Sequence, residues 1–123
     1  RCAAHERTVT LREEGPGTYV LFPVTSSAVL TGDFNMRPED GSKKRLSDGF
    51  ENGAPALVDA WQALNGEKAH PPSFCIFEQL YGVPHCCDFM FVTEDLAPRL
   101  RHMAYDQRSQ ASDHQPVLIE LDL

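Results

Sequence analysis

The sequence predicts an α/β domain of the α+β kind, with one mixed, mostly antiparallel sheet and helices on one face. Three observations point there. Segments of strand length, rich in β-branched and aromatic residues, recur at 26–31, 73–78, 87–93, 100–105 and 116–121. Strong helical spacing is confined to residues 55–65. The chain has 123 residues, 41% hydrophobic and 24% charged, which suits one globular domain with a modest core.

Residues 1–14 are polar, with Ala3, Ala4, Val9 and Leu11 as an apolar stripe, and are predicted to form a helix. Gly15-Pro16-Gly17 breaks it, and residues 18–23 read as a short strand. Ala28-Val29-Leu30 is a continuous apolar run, the pattern of a strand buried on both faces. It ends at Gly32-Asp33-Phe34-Asn35. Residues 36–53 are polar and read as a long loop with one helical turn, a length that often carries function. Pro55 suits a first helical turn, Leu57, Val58, Trp61 and Leu64 share a face, and Asn65-Gly66 supplies the stop. Trp61 is therefore expected in the core. In the last strand Val117, Ile119 and Leu121 share one face. Five or six strands against two helices leave one sheet face bare. A bare apolar face needs a second half-domain or another copy of the chain, as in a homodimer.

The formal net charge is −7, which disfavours a general clamp for DNA. Basic residues still gather near two places. Arg37, Lys43, Lys44 and Arg45 follow one segment, and Arg99, Arg101 and Arg108 approach another, either as solvated loop charge or as a rim for a phosphorylated ligand. The cysteines are Cys2, Cys75, Cys86 and Cys87, with no C-x-x-C spacing. Consecutive strand residues point to opposite faces, so His85-Cys86-Cys87-Asp88 is not expected to converge on one ion. Buried, reduced thiols point to a cytoplasmic setting. No apolar run approaches the roughly 20 residues that cross a bilayer, and no signal-peptide pattern is present.

Three segments carry chemistry. Asp33 and Asn35 leave the end of an apolar strand two residues apart, so both can face the same way. A carboxylate there can position water and an amide can donate to a phosphate oxygen, although the same residues also serve as plain turn formers. Ser112-Asp113-His114-Gln115-Pro116-Val117 places an Asp-His pair at the start of the last strand, suited to a divalent cation and to proton transfer, or again to a turn. Between them Asp88 is an acid in the apolar run Cys87-Asp88-Phe89-Met90-Phe91-Val92. A buried carboxylate needs a partner, which makes Asp88 a candidate to orient His114.

Together, and in this order, Gly32-Asp33-Phe34-Asn35, Asp88-Phe89-Met90-Phe91-Val92 and Ser112-Asp113-His114-Gln115-Pro116-Val117 resemble the endonuclease/exonuclease/phosphatase family, the deoxyribonuclease I-like phosphoesterases. Val58-Asp59-Ala60-Trp61 and Ser73-Phe74 resemble its intervening segments, so the likeness spans roughly residues 26–121. The resemblance implies a four-layer α/β sandwich, of which residues 1–123 would be the C-terminal half. It implies hydrolysis of a phosphoester, in nucleic acid or a small phosphorylated molecule, assisted by Mg²⁺ or Mn²⁺. Asp33 would activate water and share the metal with Asp113, Asn35 and His114 would bind the scissile phosphate, and Asp88 would hold His114. The resemblance leaves the general base open between Asp33 and His114.

The family's N-terminal Asn, its metal-binding Glu after a Gln, and its Thr-His strand have no counterpart here, and Glu39 and Glu51 do not match the Glu. The chain is therefore expected to be a fragment of a longer enzyme. The competing expectations are a self-associating half and a phosphate-binding module without catalysis.

Overall fold

The computed structural model describes residues 27–49 and 55–122. The helix expected over 1–14 and the strand expected over 18–23 lie outside them. The elements run β1 (Val29–Asp33), α1 (Gly41–Ser47), β2 (Leu57–Asp59), α2 (Ala60–Asn65), β3 (Asp88–Thr93), a 3₁₀ turn (Ala97–Arg99), β4 (Leu100–Tyr105) and β5 (Val117–Leu121). Among the described residues no helix is long and apolar enough to cross a membrane.

The architecture is mixed α+β with antiparallel pairing, as expected, but the strands form two sheets where the sequence predicted one. β1-β3-β2 is three-stranded and β4-β5 is two-stranded. After β3 the 3₁₀ turn, with Pro98 inside it, redirects the chain, and β4 pairs with β5. The two sheets share one core. Leu57, Phe89, Phe91 and Val92 from the first pack with Leu100, Met103 and Tyr105 from the second. Phe34 closes the end of that core edge-on against Phe91, with ring centroids 5.3 Å apart. Trp61 packs against this cluster and meets Tyr105 edge-on at 5.6 Å, so it serves the core as expected.

β1 departs from its expected burial. It lies at the edge of its sheet, pairs with β3, and leaves Val29 44% exposed. A continuous apolar run reports apolar surroundings on two sides, and the described residues supply them on one.

The helix expected over 55–65 is half strand. Leu57 and Val58 are ladder partners of Thr93 and Val92, and that pairing overrides their helical spacing. Asp59 then starts α2, its Oδ1 accepting from the N–H groups of Trp61 (2.9 Å) and Gln62 (3.2 Å). Gly66, with φ 63°, ends it, donating its N–H to Gln62 O. The strand expected over 73–78 reduces to Phe74, which bridges to His85 on one side and His114 on the other. Cys75 has φ 59°, a left-handed conformation that stops the ladder there.

α1 is longer than the single turn expected, and it is tied inward. Lys43 is buried, with Nζ 2.7 Å from Asp59 Oδ2, so this cation does not belong to a solvated rim. Lys44 and Arg45 are exposed, as loop charge should be.

Candidate active site

The antiparallel register sets Asp33 of β1 directly opposite Asp88 of β3. Like charges facing across a ladder repel. What answers them is His114, which stands between the two. Its Nδ1 donates to Asp88 Oδ2 at 2.9 Å, and its Nε2 lies 4.0 Å from Asp33 Oδ2. The hydrogen bond to Asp88 is the largest cause that raises the His114 pKa above its ordinary value, with the charges of Asp88, Asp33 and Asp113 adding to it. Asp88→Asn is expected to bring the His114 pKa down toward the usual imidazole range, read from the ring's chemical shifts against pH. An unchanged titration would show that Asp88 does not set it.

Asp33 and Asn35 meet through a turn rather than along a strand. Asn35 is past the end of β1 with φ 50°, a left-handed conformation that Asn tolerates better than most residues. Asn35 N donates to Asp33 Oδ1 (2.8 Å), and Asn35 Nδ2 donates to Asp33 Oδ2 (3.2 Å). The turn reading and the chemical reading of these residues therefore coincide, since the turn itself fixes the two side chains together.

Asp88 is held from behind by Ser73, a fully buried residue. Ser73 Oγ donates to Asp88 Oδ2 at 2.7 Å and accepts from the N–H groups of Cys87 and Asp88, both at 3.1 Å. Every hydrogen-bonding capacity of that hydroxyl near the dyad is used. The next residue, Phe74, lays its ring against the His114 imidazole, with centroids 4.6 Å apart and planes inclined by 33°. Tyr81, 73% exposed, stacks on Phe74 at 6.2 Å and 18°. Sequence reasoning singled out Ser73-Phe74 as a segment but gave neither residue a role. The signal available was a hydroxyl followed by an aromatic ring at the start of the strand expected over 73–78.

A cleft of about 330 Å³ opens over these groups, lined among others by Asn35, Arg37, Phe74, His85, Cys87 and His114. Asp113 is exposed, and its Oδ1 accepts from Ser112 Oγ at 3.2 Å. Asp33, Asn35, Asp88 and His114 are thus brought together. Among the described residues, the three metal-ligating side chains that come close enough to share one ion are Cys87, Asp88 and His114, a group without Asp33 or Asp113. Of His85, Cys86, Cys87 and Asp88, not expected all to converge, Cys87 and Asp88 do come together, because Cys87 precedes β3 and escapes its alternation. Its Sγ lies 3.5 Å from Asp88 Oδ2. Burial, and then the charges of Asp88 and Asp33, push the Cys87 thiol up to about 12.

No protein-family model matches the chain, and no curated protein sequence matches it. Among solved structures it is similar to the 3′ phosphatase NExo from Neisseria bound to product DNA hairpin, at 19% identity and a TM-score of 0.63. The match covers 98% of this chain and 51% of that one, so the chain spans about half the length of this neighbour and shares its fold over nearly all of its own.

Proposed function

We propose that the chain carries the Asp-Asn-His part of a phosphoester hydrolase site of the endonuclease/exonuclease/phosphatase kind, as the C-terminal half of a four-layer domain. The observation that carries this reading is His114 set between Asp88 (2.9 Å) and Asp33 (4.0 Å) beside Asn35, at the floor of an open cleft. An imidazolium held there by Asp88 supplies positive charge where a phosphate gathers negative charge. Asn35 Nδ2 offers a second donor to the phosphate oxygens. Asp33 accepts a hydrogen bond from water and aligns it for attack; the base is Asp33, or His114 when its Nε2 is unprotonated, and the imidazolium form can give a proton.

Asp33 and Asp113 are exposed oxygen donors, the type that suits Mg²⁺ or Mn²⁺. They would hold the ion together with a carboxylate from outside this sequence. When bound, the ion offsets charge on the phosphate. The fold neighbour's DNA product and the exposed Tyr81 ring stacked on Phe74 favour a nucleic-acid phosphoester. A base can lie on such a ring, which suits an acidic chain that has few cations for the backbone.

The test is phosphate release from a 3′-phosphorylated oligonucleotide by protein containing this chain, with Mg²⁺ and with chelator. Metal-dependent release should fall to background in Asp33→Asn while the circular dichroism spectrum is kept. Unchanged release would remove Asp33 from the mechanism. Phosphate-ester binding without release in any metal would favour the non-catalytic module.

A further inference from the structure

Cys87, Asp88 and His114 have a property that phosphoester chemistry does not use. Their donor atoms form a triangle. Sγ to Oδ2 is 3.5 Å, Sγ to Nδ1 is 4.0 Å, and Nδ1 to Oδ2 is 2.9 Å. Ordinary zinc bond lengths at tetrahedral angles require edges of about 3.5, about 3.6 and about 3.3 Å for the same pairs. Each edge therefore needs a change of about 0.4 Å or less, within the reach of side-chain rotation.

The surroundings also suit an ion. Cys87 and His114 both line the open cleft, which gives an entry path for an ion. Ser73 donates to Asp88 Oδ2 at 2.7 Å, with its Oγ 4.0 Å from Cys87 Sγ, and so fixes the carboxylate as an outer partner that orients a metal ligand. Among the described residues the other cysteines do not join the group: Cys86 Sγ is directed to Asp88 O (3.3 Å) and Tyr105 Oη (3.7 Å), and Cys75 is not among the side chains close enough to share the ion.

We propose that Cys87 Sγ, Asp88 Oδ2 and His114 Nδ1 form a binding site for a thiophilic divalent cation of the zinc class, and that filling it disables the Asp88–His114 pair. Binding replaces the thiol proton and the Nδ1 proton with metal bonds, and both protons pass to solvent. His114 then loses its hydrogen bond to Asp88 and its positive charge. The thiolate selects a soft cation, so Mg²⁺, which prefers oxygen, leaves the site open. The site stands on geometry alone and does not depend on the phosphoesterase reading.

Co²⁺ is the probe, because a thiolate ligand gives it a charge-transfer band in the near ultraviolet. Titration of the chain with Co²⁺ is expected to produce that band, and Zn²⁺ to abolish it by displacement. Cys87→Ser should lose the band, while Cys86→Ser keeps it. Ser73→Ala should weaken Co²⁺ binding by about 10-fold, the usual effect of removing an outer partner. Retention of fold is checked by circular dichroism in each variant. No band in the folded wild-type chain, or a band that survives Cys87→Ser, overturns the site. A band unaffected by a large excess of Mg²⁺ supports it, and displacement by Mg²⁺ at a Zn²⁺-like concentration contradicts it. Failure here leaves phosphate binding at His114 untouched, so the two readings fail separately.

Discussion

His114→Ala is expected to lower metal-dependent phosphoester turnover by about 1,000-fold, in protein containing this chain, with little change in folding. The size follows from what the side chain does. Removing a proton-transfer group costs about 10²–10⁴-fold, and removing a preorganised donor to developing charge costs about 10²–10³-fold. On the proposed reading His114 fills both descriptions, since it lines the cleft while Asp88 holds its Nδ1. Stability should change less, since the ring is partly exposed and packs on Phe74 at one face. The check is kcat and the urea midpoint on one preparation. A large loss of kcat with an unmoved midpoint is the expected pair. Equal turnover would show that the dyad is only structural.

The largest effect on stability is expected at Asp59. Its carboxylate is buried and accepts from four donors: the N–H groups of Trp61 and Gln62, Lys43 Nζ at 2.7 Å and His70 Nε2 at 2.9 Å. It therefore starts α2, joins α1 to the sheet through Lys43, and anchors His70, whose ring rests edge-on against Phe89 at 5.3 Å. Asp59→Ala strands Lys43 without its partner in an apolar setting, and about 3–5 kcal/mol is the usual cost of breaking such a pair from one side. Lys43→Met should cost less, about 1–3 kcal/mol, because Asp59 keeps three donors. Denaturant unfolding of the two variants checks the order, and a larger loss in Lys43→Met would contradict it.

The same carboxylate sets a pH dependence. Burial opposes its charge, but the hydrogen bonds from His70 and Lys43 outweigh it and hold the pKa of Asp59 below its ordinary 3.8. A depressed carboxylate contributes stability that is fully present above the unfolded value and is lost as pH falls through the folded one. Wild type should therefore lose stability on acidification in the range below about pH 4, and Asp59→Ala should lack this part of the slope.

Much of the strand content was legible. β3, β4 and β5 stand where alternation and apolar runs placed them, and the buried face of β5 is the expected one, with Val117, Ile119 and Leu121 turned inward. Other features depended on contacts that a linear pattern does not contain. Leu57 and Val58 satisfy a helical stripe and a ladder equally well, and β3 decides between them. Lys43 looked like loop charge because its partner, Asp59, is sixteen positions away. Within the candidate site, the Asp33-Asn35 and Asp88-His114 proximities followed from motif order. Ser73, Phe74 and Cys87 joined them only once the Phe74 bridge to His114 and the turn before β3 were in place.

The most direct measurement is a titration of the chain with inorganic phosphate, with and without Mg²⁺, followed by nuclear magnetic resonance of histidine rings and the Asn35 side-chain amide. A phosphoester site gives saturable shifts at His114 and Asn35 together, strengthened by Mg²⁺. His102, exposed on β4, serves as the reference and should not follow them. Shifts of equal size at His102 and His114, or none at either, would contradict a phosphate site built on Asp33, Asn35, Asp88 and His114.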